Sequence, residues 1–111
     1  MKVLATIPSI CCAPGADPLP AAERERLAAR FKALADPARV GIVNLLSTAE
    51  EVCVCELTAP LGLAQPTVSH HLRVLREAGL VSVSKRGTWS YYRIEPDALR
   101  GLASALGGAS V

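Results

Sequence analysis

Between residues 20 and 80 the apolar positions recur every three or four residues, the period of helices buried along one face. In "PLPAAERERLAARFKALA", Leu27, Phe31 and Leu34 fall at i, i+4 and i+7. Pro20 suits a first helical turn, and Glu23 and Glu25 suit an N-terminal end. Asp36-Pro37 marks a break and a new start, with Asp36 as N-cap and Pro37 at the first helical position. The second helix, through "ARVGIVNLLS", is expected to turn Val40, Val43 and Leu46 or Leu45 inward. "VCELTAPLGL" reads as a short third helix closing at Gly62. In "AQPTVSHHLRVLREAGL", Pro66 opens a fourth helix and Gly79 closes it. The period then changes. Leu80-Val81-Ser82-Val83 and Trp89 to Ile94 alternate as strands do, with Lys85-Arg86-Gly87-Thr88 as the turn. A last helix, from about Pro96 to Leu106, carries Leu99, Leu102, Ala103 and Leu106 on one stripe. The expected fold is mainly α with a small β-hairpin. Residues 1–19, with Pro8, Pro14, Pro18 and Gly15, read as a flexible arm holding Cys11 and Cys12. Residues 20–106 form the domain and 107–111 a frayed tail.

The 111 residues allow one compact domain and little more. Half of them are apolar, but Phe31, Trp89, Tyr91 and Tyr92 are the only aromatics, so the core must be built from Ala, Leu and Val. A net charge of +2 says little alone; a basic patch has to be found locally. Four cysteines in so short a chain invite a secreted, disulfide-stapled reading. Two features oppose it. The core needs no staples, and the opening "MKVLATIPSICCA" has an apolar run interrupted by Thr6, Pro8 and Ser9, with Ile10 where a lipoprotein cleavage site needs a small residue. No stretch approaches the roughly 20 apolar residues of a membrane span. A reducing cytoplasm is the expected home, where closely spaced cysteines bind metals or sense redox state more often than they form structural disulfides.

Helix, turn, helix, then a hairpin with a basic tip is the winged helix-turn-helix order. At about 100° per residue, Val68, Leu72 and Leu75 of the fourth helix share one face that packs inward. The opposite face carries Pro66, His70, Arg73 and Glu77, flanked by Thr67, Ser69 and Val74, with Gln65 at its start. Hydroxyls, an imidazole and a guanidinium are what a helix needs to meet phosphates and base edges in a major groove. The plainer reading is an ordinary amphipathic helix, and the neighbouring elements count against it. His71 falls nearer the apolar side and reads as a packed histidine bonded to backbone. Lys85 and Arg86, at the hairpin tip, are placed to reach DNA backbone or minor groove.

Together "FKALADPARVGIVNLL", "EVCVCEL", "GLAQPTVSHHLRVLREAGLV" and "RGTWSYYRI" resemble the ArsR/SmtB family of bacterial metal-responsive repressors, over about residues 27 to 106. The resemblance implies a homodimer whose first and last helices form the interface, here Leu27, Phe31 and Leu34 with Leu99, Leu102 and Leu106. It also implies that the ligand-free dimer holds double-stranded operator DNA and that a ligand releases it. Independently, a stripe on each terminal helix must bury itself somewhere, and a two-fold dimer reading a palindrome is a usual solution.

Thiolates are soft ligands suited to Zn(II), Cd(II), Pb(II), Cu(I) and, as three sulfurs in a pyramid, trivalent arsenic or antimony. Spacing is the difficulty for Cys53 and Cys55. Two residues apart in a regular helix point about 200° apart, so both can face one ion only from an extended or fraying helix start. Whether one of them merely packs stays open. "EVCVCEL" resembles the third-helix site of the family's arsenic and cadmium/lead sensors. Some arsenite sensors add a cysteine three residues later, where this chain has Thr58. Others recruit arm cysteines, sometimes from the partner subunit, a role that Cys11 and Cys12 fit. The family's other sensing site, on the last helix, needs Asp and His; this chain has Asp97 there and no histidine, so that site is expected to be absent. The resemblance implies a repressor released by arsenite, or antimonite, at Cys11, Cys12, Cys53 and Cys55. The alternatives are the same fold sensing Cd(II), Pb(II) or Zn(II) through four thiolates, and a metal-free thiol redox switch. No catalytic constellation and no site for a small organic substrate is evident; a pairing of Cys55 with His70 or His71 is conceivable, but the reading helix already accounts for both histidines.

Overall fold

The computed structural model describes residues 18–107, so Cys11 and Cys12 lie outside the described residues. Eight elements follow in order: α1 (Ala21–Leu34), α2 (Pro37–Leu46), β1 (Val52–Cys53), α3 (Cys55–Leu61), α4 (Gln65–Glu77), β2 (Val81–Arg86), β3 (Trp89–Ile94) and α5 (Pro96–Ala105). The helix boundaries follow from local chemistry. The Asp36 carboxylate accepts from the backbone N–H of Ala38 at 3.0 Å and of Arg39 at 3.2 Å, capping α2 as the Asp-Pro pair predicts. Burial would raise the Asp36 pKa, but those N–H groups and the charges of Arg39 and His71 outweigh it and hold the carboxyl below its ordinary value.

The three strands form one antiparallel sheet in the order β1-β3-β2. β2 and β3 pair from Val81 with Ile94 out to Arg86 with Trp89, which leaves only Gly87-Thr88 as the loop. Lys85 and Arg86 are therefore the last residues of a strand, not half of a four-residue turn as the sequence reading has it. Gly87, at φ 65°, makes the shorter turn available. β1 adds two register pairs to β3, Val52 with Tyr92 and Cys53 with Tyr91.

Ile42, Val68, Leu72, Leu75 and Leu80 are fully buried, and Leu46 and Leu57 nearly so, giving one core between α2, α3, α4 and the sheet. α4 has the predicted inward face. α2 has it only in part: Leu46 faces the core as expected and Val43 packs half-buried against it, but Ile42 takes the central place and Val40 is exposed. Crowded apolar residues in "VGIVNLL" fit two adjacent faces about equally, so periodicity alone cannot choose between them.

Gly79 closes α4 at φ 79°. Its N–H bonds to the Arg76 carbonyl at 2.9 Å, and the Leu80 N–H bonds to the Leu75 carbonyl at 3.0 Å, as in a Schellman cap. Arg30 of α1 donates from Nε to the Ala78 carbonyl at 2.9 Å, and a Cβ on residue 79 would lie 2.9 Å from Arg30 Nη2. Gly79→Ala is expected to cost about 1–2 kcal/mol from backbone strain alone, with displacement of Arg30 added. The midpoint of urea unfolding measures it, and an unchanged midpoint would refute this account of the cap.

Candidate nucleic-acid interface and thiol site

With Val68, Leu72 and Leu75 fixed in the core, α4 presents Gln65, Pro66, Thr67, Ser69, His70, Arg73 and Glu77 to solvent. Val74 is half-buried instead, at the edge of the α1 side. Pro66, Ser69, His70, Arg73, Arg76 and Tyr92 line an open cleft beside the helix. Neither Arg73 nor Arg76 has a hydrogen-bond or carboxylate partner among the described residues, although Glu77 lies one turn from Arg73. Cations gathered without a counter-charge favour an external anion. Sequence reasoning missed Arg76 and Tyr92. Arg76 was detectable three residues from Arg73, whereas Tyr92 reaches the cleft only through the sheet.

Lys85 is exposed on β2 and unpaired among the described residues. Arg86 is engaged. It donates to both carboxylate oxygens of Glu51 at 2.5 Å and 2.8 Å, and its guanidinium stands 4.7 Å from the Tyr91 ring centroid. The carboxylate raises the Arg86 pKa further above its ordinary value. His71 is half-buried beside α2, not bonded to backbone as the sequence reading has it. Arg39 Nη1 lies 3.1 Å from its Nδ1 and the Asp36 carboxylate 4.0 Å away.

The two cysteines meet where a strand becomes a helix. Cys53 ends β1, Val54 already has helical angles (φ −51°, ψ −41°), and Cys55 begins α3. This break in regular geometry brings the sulfurs to 3.2 Å, with the Cys55 thiol donating to Cys53 Sγ. The Cys53 N–H donates to Glu56 Oε1 at 2.9 Å, and the Thr58 hydroxyl donates to the Cys55 carbonyl at 3.1 Å. Thr58 thus serves the helix start. The Cys55 pKa is raised, first by its hydrogen bond to Cys53, then by desolvation and by the negative charges of Cys53 and Glu56. A second thiolate forms readily only when a cation replaces the proton. Cys53 and Cys55 open on a cleft of about 200 Å³ shared with Gln65 and Ser69 of α4 and Trp89, Ser90 and Tyr92 of β3. The thiol pair and the start of α4 therefore border one space. No group of three or more metal-binding side chains occurs among the described residues.

The terminal helices meet each other within one chain. Leu27 and Leu102 are buried in that chain's own core, Phe31, Leu34 and Leu99 are half-buried against it, and Leu106 is 75% exposed. Of the stripe residues expected at a dimer interface, Leu106 has the largest uncovered surface.

An exposed polar helix over a buried turn partner, with a sheet hairpin at its side, defines a winged helix-turn-helix regulator. The domain described as "Bacterial regulatory protein, arsR family" matches residues 36–83. The chain is 43% identical over 76 residues to an uncharacterized HTH-type transcriptional regulator, MJ1325, of Methanocaldococcus jannaschii, covering 68% of this chain and 85% of that protein. It is 52% identical over 66 residues to the arsenical resistance operon repressor of Escherichia coli, covering 60% of this chain and 56% of that protein. A cadmium resistance regulator, a CadC homolog of Staphylococcus aureus, matches at 38% over 72 residues, 65% of this chain and 60% of its own length. Among solved structures, the homodimeric winged helix-turn-helix domain of Mb0332 from Mycobacterium bovis superposes with a TM-score of 0.68 at 34% identity, covering 81% of this chain and 83% of that one. This chain belongs to the ArsR family of transcriptional regulators.

Proposed function

We propose that this chain is a cytoplasmic, homodimeric repressor that leaves double-stranded operator DNA when trivalent arsenic, or antimony, is bound by Cys53 and Cys55, with Cys11 and Cys12 adding sulfurs. Gln65, Thr67, Ser69, His70, Arg73 and Lys85 meet the DNA, joined by Arg76.

The observation that carries the arsenite reading is the 3.2 Å separation of Cys53 and Cys55 sulfurs. With metal–sulfur bonds of about 2.3 Å, a tetrahedral centre needs sulfurs about 3.8 Å apart, whereas a pyramid with angles of about 90° needs about 3.3 Å. The pair matches the pyramid's edge, which is the shape a lone-pair ion takes. Cd(II) or Zn(II) in a tetrahedron of four thiolates would require the pair to open. The same sulfur contact favours a second reading, oxidation of the pair to a disulfide, because a thiol already donates to its neighbour's sulfur.

Release follows from the shared cleft. Exchanging the shared thiol proton for a bound centre changes charge and packing at the β1–α3 junction, and that junction borders Gln65 and Ser69 at the start of α4. The bound form must prefer the arrangement that fits DNA poorly, and a coupling of about 1–3 kcal/mol is typical of such systems.

The test is fluorescence anisotropy on a promoter fragment with fully reduced protein, titrated separately with arsenite, Cd(II), Pb(II), Zn(II) and peroxide. Release at stoichiometric arsenite is expected. Release by Cd(II), Pb(II) or Zn(II) alone would replace arsenic with a divalent ion, and release by peroxide alone would make the pair a redox switch.

A further inference from the structure

A bidentate ion pair joins the strand of the thiol pair to the hairpin. Glu51 immediately precedes β1, and Arg86 is the last residue of β2, on the far side of β3. Their ion pair spans all three strands. It is bidentate, at 2.5 Å and 2.8 Å, so it fixes orientation as well as distance. Arg86 also lies over Tyr91, the register partner of Cys53, and pairs across the hairpin with Trp89, which lines the thiol cleft. β1 itself holds β3 through only two register pairs.

We propose that the Glu51–Arg86 pair, seated on Tyr91, transmits occupancy of the Cys53/Cys55 site to the wing, making both residues positioning residues for release from DNA. The inference rests on the proposed ligand-released repressor. Cys53 cannot move toward a bound centre without moving β1, and Glu51, two residues away, moves with it. The bidentate geometry biases Arg86 to follow, and a bias of about 1 kcal/mol on the hairpin's place beside α4 is enough for a several-fold change in DNA affinity. Arg86 then acts on DNA through wing placement, and Lys85 beside it has no side-chain partner among the described residues.

Exposed ion pairs add little to stability, so Glu51→Gln leaves the fold standing. Three quantities are measured on the full chain: arsenite affinity of the free protein, DNA affinity without arsenite, and DNA affinity with it. In E51Q the first two are expected within about twofold of wild type, while the arsenite-induced loss of DNA affinity shrinks by about fivefold or more. E51Q, R86Q and the double variant E51Q/R86Q are expected to lose the same share of that response, as residues acting through one contact do. A response in E51Q equal to wild type overturns the inference. So does R86Q weakening DNA binding without arsenite while E51Q does not, because Arg86 would then touch DNA itself. If wild-type protein binds arsenite without leaving DNA, the repressor reading fails first and takes the inference with it.

Discussion

Replacing Arg73 by alanine is expected to weaken binding to promoter DNA by about ten- to hundredfold while leaving the fold intact, since a residue in direct DNA contact is worth about 1–3 kcal/mol. Arg73 lies opposite the face of α4 that places Val68, Leu72 and Leu75 in the core. Its removal opens no cavity and strands no buried partner, so stability should change by no more than about 0.5 kcal/mol. In the free protein Arg73 shares a cleft with His70 and Arg76 and has no carboxylate partner among the described residues. An unbalanced cationic cleft gains most from phosphate. Anisotropy across a range of salt separates two forms of the loss. A phosphate contact lowers the salt slope by about one and weakens all sequences alike. A base contact leaves the slope and relaxes discrimination at one position. Unchanged affinity would move the DNA-reading face off α4.

What could be read from the chain was whatever a local rule determines. Asp36-Pro37 starts α2 because a carboxylate and a fixed φ both suit a helix start, and Gly62 and Gly79 end α3 and α4 with positive φ, at 66° and 79°. α4 was legible because its apolar and polar residues separate cleanly onto two faces. β1 was not, since two residues have no period; its existence depends on Tyr91 and Tyr92 of β3 arriving beside it. Stripes on α1 and α5 say that a face is buried and not against what, so Leu27 and Leu102, expected at a dimer interface, turn out to fill the chain's own core. The Arg86 partner is 35 residues away, and no spacing rule joins Glu51 to it. The cysteine pair falls between these cases. Helix geometry says that neighbours two apart diverge, and only the strand-to-helix break at Val54 reverses that.

That break makes Cys55→Ser the sharpest test of the site. The variant is expected to bind promoter DNA as wild type does and to require about a hundredfold more arsenite for release, or to show none. Cys55 is exposed, so a hydroxyl in its place costs the core nothing. A serine oxygen is a poor partner for a soft centre, and losing one tethered donor of a chelate typically costs two or more powers of ten. Cys53→Ser should match it, because either change destroys the same 3.2 Å edge. Cys11→Ser/Cys12→Ser, made together, removes donors that would complete the centre but leaves the edge, so a weakened response there beside an abolished one in Cys55→Ser would assign the pair as the anchor and the arm as the closing ligand. If Cys55→Ser responded normally while Cys53→Ser did not, the edge would not be the binding element. The Cys55 thiol would then be a hydrogen-bond donor to a single ligating sulfur, and the pyramid would have to be completed without it.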